Sequence, residues 1–346
     1  MRSSSSSTST SPRGDAAVRR RPGAALLLAL LAFLAAVCAA TGLLAPPVAH
    51  AADNGQWSVF PATGEDAPAR AHFEHTAEAG TTVRDRVTIA NLADTERTFA
   101  LHGADAYNTP RDGGFAVRAA DEEQRAVGAW LRLDREEVTV PAGERVTVPF
   151  TLTIPRNAEP GDHPGAVVAL DQRVLEARGR VGMGVRQAVG ARVYLEVTGE
   201  RAPSLRVEDV RWVYDAPLVP GIGERPATIE YTLVNDGNVT LSPRVALTAD
   251  GLFGDAPVAH GTRRAPAELL PGERVALSEE WAGPPVLDRG DVRVEVTDPR
   301  TGVHATGSAP FLLVPWLLLA VFALALAALA AHLVRRRRAA RAAHPA

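Results

Sequence analysis

Between residues 52 and 310 the apolar side chains recur at every second position, and this fixes the kind of fold open to the chain. Val146, Val148, Phe150, Leu152 and Ile154 alternate with Thr147, Pro149, Thr151 and Thr153. Such spacing lines one face of an extended strand and leaves the other face polar. Shorter runs repeat it: Val87 and Ile89; Val193, Leu195 and Val197; Ile229, Tyr231 and Leu233; Val245 and Leu247; Val292, Val294 and Val296. Turn formers separate the runs, among them Asp112-Gly113-Gly114, Pro141-Ala142-Gly143, Pro160-Gly161-Asp162, Asp236-Gly237-Asn238 and Pro271-Gly272. The chain's 29 Gly and 26 Pro suit many short strands joined by turns. No 3.6-residue period of similar length competes, and only Ala119 to Leu133 has room for a short helix. Pro149 lacks an amide donor, which predicts a sheet edge or a bulge there.

The pattern is also duplicated. Val87-Thr88-Ile89-Ala90-Asn91 is followed by Pro141-Ala142-Gly143-Glu144-Arg145-Val146, and Thr232-Leu233-Val234-Asn235 by Leu270-Pro271-Gly272-Glu273-Arg274-Val275. Each copy reads strand, Asn turn, strand, then a Gly-Glu-Arg turn that opens another strand. The expected fold is all-β, with two tandem immunoglobulin-like β-sandwich domains over 53–200 and 201–305.

The two ends carry different signals. Arg19-Arg20-Arg21, an apolar block from Ala24 to Leu44 and the small residues Ala49-His50-Ala51 follow the order of a secretory signal peptide. Residues 1–51 are therefore expected to be a signal peptide, cleaved between Ala51 and Ala52. Cys38, the single cysteine, falls inside that segment, so no disulfide is expected in the exported body. Phe311 to Val334 runs 24 residues without a formal charge. As a helix it would span about 36 Å, enough for a hydrocarbon core of roughly 30 Å. Arg335-Arg336-Arg337-Arg338 follows, and arginines gathered on one flank stay in the cytoplasm. The expectation is a single-pass protein of the cell membrane, with a transmembrane helix over 311–334, a cytoplasmic basic tail over 335–346 and an extracellular body.

Charge and motifs narrow the function. The chain has 37 arginines, no lysine and 40 acids; setting aside ten terminal arginines and Asp15 leaves 27 basic against 39 acidic groups, about −12 for the body. Phosphate contact needs a basic face, so nucleic acid is excluded as a partner. No Gly-x-Ser-x-Gly elbow or His-Glu-x-x-His motif occurs in the body, and its lack of cysteine removes thiol chemistry. Asp134, Glu136 and Glu137 around Arg135 read as a solvated turn before the Val138 strand. His72 and His75, three apart on a strand, point to opposite faces and do not make a metal pair. A non-enzymatic protein with no cofactor and no metal is expected. Asn238-Val239-Thr240 spells a glycosylation acceptor but reads better as a turn. Trp130 is expected in the core.

Several segments resemble a known family. They are His72-Phe73 through Gly80, Val87-Thr88-Ile89-Ala90-Asn91, and Ala104-Asp105-Ala106-Tyr107-Asn108-Thr109 leading to Gly113-Gly114-Phe115. Val138-Thr139-Val140-Pro141, Pro160-Gly161-Asp162-His163-Pro164-Gly165 and Arg192-Val193-Tyr194-Leu195 continue the order. Together they resemble the peptidoglycan-binding domain of the WxL-interacting protein family, cell-surface proteins of Gram-positive bacteria. The resemblance covers most of 55–200 and implies peptidoglycan as ligand of the first domain. It also implies a second immunoglobulin-like domain that binds a host or bacterial partner, and partnership with Trp-x-Leu proteins. Trp316-Leu317-Leu318 has that spelling but falls in the apolar C-terminal segment. The alternative is a protein–protein adaptor that pairs through a sheet edge.

The segment from Asp105 to Phe115 supplies the candidate ligand residues. Tyr107 offers an aromatic face, and Asn108, Arg111 and Asp112 offer groups for hydroxyls and amines. The same residue types are what a tight turn needs, and the turn reading is the stronger of the two.

Overall fold

The alternating segments form strands because period two leaves each with one apolar face to bury. The computed structural model describes residues 52–64, 69–176, 184–215, 226–258, 263–264, 266–281 and 283–342. The expected signal peptide, Ala51 included, lies outside the described residues, and Ala52 opens the first strand. The first part comprises β1 (Ala52–Asp53), β2 (Trp57–Pro61), β3 (Phe73–Ala77), β4 (Thr82–Asn91), β5 (Arg97–Asn108), β6 (Phe115–Val117), α1 (Val127–Trp130), β7 (Leu131–Leu133), β8 (Glu137–Val140), β9 (Arg145–Thr153), β10 (Gly161–Asp171), β11 (Leu175–Glu176), β12 (Gly184–Val185) and β13 (Ala188–Val197). The second comprises β14 (Arg206–Val213), β15 (Ala227–Val234), β16 (Arg244–Gly251), β17 (Gly254–Pro257), β18 (Arg263–Arg264), β19 (Arg274–Trp281), β20 (Asp288–Thr297), β21 (His304–Leu313) and the helix α2 (Trp316–Ala342).

Four larger sheets build two sandwiches. In the first, β1-β2-β4-β9-β7 faces β3-β13-β10-β5-β6, with β8 paired to β5. In the second, β14-β15-β19 faces β17-β16-β20-β21, with β18 paired to β16. Each has its own core. Trp57, Phe73, Phe99, Phe150 and Leu195 fill the first, and Ile229, Leu233, Trp281, Val292 and Val294 the second. Each such fully buried aliphatic or aromatic side chain contributes about 1.5–3 kcal/mol.

The duplicated motif has a structural meaning. Asn91 and Asn235 are both fully buried. Asn91 Nδ2 donates to the Thr95, Val140 and Pro141 carbonyls, and its Oδ1 accepts from Ala93 N–H. Asn235 Nδ2 donates to the Val239 and Leu269 carbonyls, and its Oδ1 accepts from Gly237 N–H. Both backbone amides reach the Glu of the Gly-Glu-Arg turn, Glu144 and Glu273. The conserved spelling within the chain is a corner in which one buried amide side chain satisfies the polar groups of two crossing loops.

Three expectations need correction. The apolar block after residue 311 is not helical throughout. Phe311 and Leu313 are buried in the second core at the end of β21, so this sandwich runs to Leu313 rather than 305. The helix starts at Trp316 after Pro315 and runs to Ala342, taking Arg335 to Arg338 into its last turns. Continued alternation at Ala309, Phe311 and Leu313 was the available sign. Second, β9 lies between β4 and β7 rather than at an edge. Pro149 is tolerated because it faces the last rung with β7: its carbonyl accepts from Asp134 N–H at 3.0 Å, and the bond that its nitrogen cannot donate falls where the pairing ends. Third, Trp130 packs against the first core only from its rim, half-buried with its ring 5.0 Å from that of His163, while Trp57 takes the central position against Phe99. The short helix expected in Ala119 to Leu133 is α1, and Asp134 to Glu137 are solvent-exposed.

Candidate functional site

A cleft of about 970 Å³ opens where the two sandwiches meet. Its floor is the outer face of β3, β13 and β10. Parallel pairing of β3 with β13 sets Glu74 beside Tyr194 and Thr76 beside Glu196. Antiparallel pairing of β13 with β10 extends those rows to Pro164 and Asp162. All six point away from the core because their neighbours Phe73, Val193 and Leu195 point into it. The wall comes from the second sandwich, through Val239, Thr240, Glu268, Arg300 and Thr301.

Two seams of hydrogen bonds hold the walls apart at a fixed spacing. In one, Thr240 N–H donates to Asp162 Oδ2 at 2.7 Å and Asp162 N–H to the Asn238 carbonyl at 2.8 Å. Asn238 Nδ2 donates to the Pro160 and Glu200 carbonyls, at 2.9 and 2.8 Å. Its Oδ1 accepts from Ala202 N–H at 2.7 Å. Gly161 makes this approach possible: its φ is +123°, and a Cβ there would lie 2.3 Å from the Asn238 carbonyl oxygen. In the other seam, Asn108 Nδ2 donates to the Gly113 and Glu268 carbonyls and its Oδ1 accepts from Leu270 N–H, each at 2.8 Å. Pro110 adds a carbonyl that accepts from Ala276 N–H at 3.0 Å.

Polar and aromatic groups converge inside. The Tyr194 hydroxyl donates to the Glu268 carboxylate at 2.9 Å, and Arg192 Nη1 lies 3.4 Å from Glu268 Oε2. Burial, with the Glu268 charge beside it, pushes the phenol upward, so Tyr194 stays a neutral donor. The His72 ring meets Tyr194 edge-on at 5.0 Å, and Arg192 covers the Phe115 ring at 4.2 Å. Arg201 bonds Glu196 at 2.8 Å and lies 3.3 Å from Asp162. The lining carries the carboxylates of Glu74, Asp162, Glu196 and Glu268 and the guanidiniums of Arg201 and Arg300, four acids against two arginines.

The histidines divide as strand geometry requires. His72 bonds Glu74 at 2.7 Å on the outer face. His75 turns inward, its Nε2 3.3 Å from Asp85 Oδ2, and Arg70 closes the group with two bonds to that carboxylate. Burial pushes the His75 imidazole below its ordinary value, against the pull of Asp85 and with the aid of Arg70. Among the described residues, no group of three His, Cys, Asp or Glu side chains is placed to hold a metal ion.

The four residues singled out from sequence do not line the cleft. Asn108 is 1% exposed, with both ends of its amide engaged in the joint. Asp112 caps its own turn, accepting from the Thr109 hydroxyl and Gly114 N–H. Tyr107 is half-buried near the end of β5 with the Arg118 guanidinium 5.8 Å from its ring centre, and Arg111 is exposed on the turn. Nearby Asp105 is buried, accepting from the Arg125, Ala126 and Gly128 amides and so fixing α1. Only Phe115 reaches toward the cleft, 6.4 Å from Tyr194. Asn238 makes the turn expected of it, and its side chain is spent on the joint.

The residues that sequence reasoning missed are Tyr194, Glu196, Glu268 and Arg201. The outward position of Tyr194 and Glu196 on β13 was readable from Val193, Leu195 and Val197. That a second sandwich would face them was not.

No protein-family model and no curated protein matches this chain. Solved structures do overlap with it. A chaperone–tip adhesin complex of CFA/I fimbriae biogenesis is 9% identical, over 74% of this chain and 98% of that one, with a TM-score of 0.35. The CsuC–CsuE chaperone–tip adhesion subunit complex of Csu pili from Acinetobacter baumannii is 10% identical over 70% and 95%, with a TM-score of 0.35. The Salmonella enterica SafA pilin with the SafB chaperone is 11% identical over 76% and 100%, with a TM-score of 0.32. Overlaps this small carry no argument about what the present chain does.

Proposed function

We propose that this chain is a membrane-tethered binding protein that takes an extended, basic segment of a protein partner into the cleft between its sandwiches. The observation that carries the reading is the free edge of β3. Among the described residues it ends the six-stranded sheet with no strand paired beyond it, and the outward Glu74 and Thr76 line the cleft. An incoming strand can pair with this edge while its side chains meet an acidic lining and the rings of Tyr194 and His72. The lining holds four carboxylates against two guanidiniums, and the body's charge of about −12 adds a field of the same sign. Peptidoglycan, the ligand implied by the sequence resemblance, gains no support: Asn108 and Asp112, two of its four candidate contacts, are spent on internal bonds. The tether is α2, in which an 18-residue stretch within Trp316–Arg338 has a mean hydropathy of 2.6 and is not buried against the sandwiches.

A photo-reactive benzoylphenylalanine in place of Glu74, in intact cells, is expected to give a discrete protein adduct, and one in place of exposed Arg84 none. Reversing Glu196 and Glu268 to Arg is expected to remove the adduct. Pelleting of the full chain with purified peptidoglycan, without any adduct at position 74, would overturn the reading in favour of the wall.

A further inference from the structure

Among its described residues, the second sandwich gathers its large exposed apolar side chains at one end. Val213, Leu252, Phe253, Val286, Leu287 and Leu312 are each more than half exposed, Phe253 the most at 75%. Strand register places them together. Leu252 and Phe253 form the tip between β16 and β17, and Leu252 N–H donates to the Arg289 carbonyl at 3.0 Å. Arg289 pairs with Leu312, and Asp288, directly after Val286 and Leu287, pairs with Leu313. Val213 ends β14 beside Trp212, whose indole donates to the Pro310 carbonyl at 2.9 Å. Among the described residues of the first sandwich, by contrast, the exposed large apolar side chains are the scattered Leu92 and Val174.

The tip is built. Buried Asp288 accepts from Leu252 N–H at 2.9 Å and Arg289 N–H at 2.8 Å. Gly251 admits this carboxylate, since a Cβ there would lie 2.2 Å from Asp288 Oδ2, and Gly254 turns the chain at φ +126°. A buried acid therefore holds a Leu-Phe pair outward into solvent.

What covers this end follows from the helix beside it. Only Val314 and Pro315 separate β21 from α2, a linker that spans about 7 Å at most. We propose that this apolar rim, with Phe253 at its tip, seats in the headgroup region of the bilayer that α2 crosses, so that the second sandwich stands on the membrane at a fixed attitude. The proposal rests on α2 being the membrane span. Aromatic and aliphatic side chains partition into that region, exposed Arg289 adds a cation at the depth of lipid phosphates, and Trp316 marks the same level on the helix.

The test uses the full chain with Cys38→Ala, reconstituted in phosphatidylcholine–phosphatidylglycerol vesicles, with one nitroxide label on Phe253→Cys, Val174→Cys or Leu326→Cys. Relative accessibility to oxygen and to a nickel chelate reports depth. The label at 253 is expected to shift from the aqueous value at 174 toward the hydrocarbon value at 326. Equal readings at 253 and 174, with 326 in hydrocarbon, overturn the seated rim while leaving the span intact. An aqueous reading at 326 removes the span itself and the proposal with it. In a Leu287→Cys chain, Leu252→Glu with Phe253→Glu is expected to return the label to the aqueous value; an unchanged depth overturns the role of the tip.

Discussion

The two sandwiches share a corner and differ in what they attach to it. Asn91 and Asn235 make the same set of bonds, to a carbonyl four residues on, an amide two residues on and the far loop. Around that corner the first sandwich is closed by charge. Arg97 and Asp171 pair at 2.6 Å with their side chains 6% and 5% exposed, and the guanidinium lies 5.2 Å from the Trp57 ring centre. The second keeps one end open and apolar beside α2. One local solution thus serves two ends with different neighbours, and perturbing each sandwich separately tests how far the likeness reaches.

The largest effect is expected at the ion pair. Asp171→Ala leaves Arg97 buried without its carboxylate and should cost about 3–5 kcal/mol. Arg97→Met should cost less, because Arg173 still bonds Asp171. Burial pushes the Asp171 carboxyl up, but bonds from the Arg173 amide and side chain and from Arg97 outweigh it and hold the group below its ordinary range. Denaturant unfolding followed by tryptophan fluorescence would measure both; equal losses would show that Arg173 does not compensate.

Next come the corners. Asn91→Ala and Asn235→Ala each strand several buried backbone groups and should cost about 2–4 kcal/mol. Losses that differ by more than about 1 kcal/mol, measured in the same way, would break the equivalence of the two copies. Asn238→Ala should cost about 1–3 kcal/mol, since it frees Pro160 and Glu200 carbonyls that are nearer solvent. Its sharper sign would be the unfolding of the sandwiches in two steps in place of one.

The strand faces were legible in the sequence because they depend on residues close along the chain, and the corner's parts because their spelling occurs twice, although its bonds reach from Asn91 to Val140 and from Asn235 to Leu269. Val146 to Ile154 declares its buried face by spacing alone, and the Asn and Gly-Glu-Arg signals repeat. The cleft was not legible, because each wall is ordinary by itself. Tyr194 reads as one outward residue of a strand and Glu268 as a loop acid; only the fold brings them to 2.9 Å across 74 positions. Asn108 illustrates the converse. Its amide was noticed as a ligand group, and long-range packing against Glu268 and Leu270 gave that amide a structural partner. The Phe311 to Leu313 segment was ambiguous for a different reason, since a short apolar run suits a buried strand and a membrane helix equally.

Acidification offers the smallest and most discriminating comparison, because its sign should differ between the sandwiches. In the first, burial lowers the imidazoles of His75 and His102 below their ordinary value of 6.5. The unfolded chain then takes up protons from about that pH downward while the folded chain does not, so stability falls as pH drops through 6.5. Asp85 does not add to this window. Burial pushes its carboxyl up, but the Arg70 bonds and the Arg86 amide keep it lowered, and its stabilising charge is lost only below the ordinary 3.8. In the second, burial raises the Glu273 carboxyl above 4.5 against the Asn108 amide. Its folded state gains the proton first, so stability rises as pH falls toward 4.5. Amide exchange between pH 7 and 5, corrected for intrinsic rates, should therefore show protection decreasing in β3 and β5 and holding or increasing in β15 and β19. His75→Gln with His102→Gln should flatten the first trend and leave the second. A uniform loss of protection that survives both substitutions would place the pH response in the joint and not in either core.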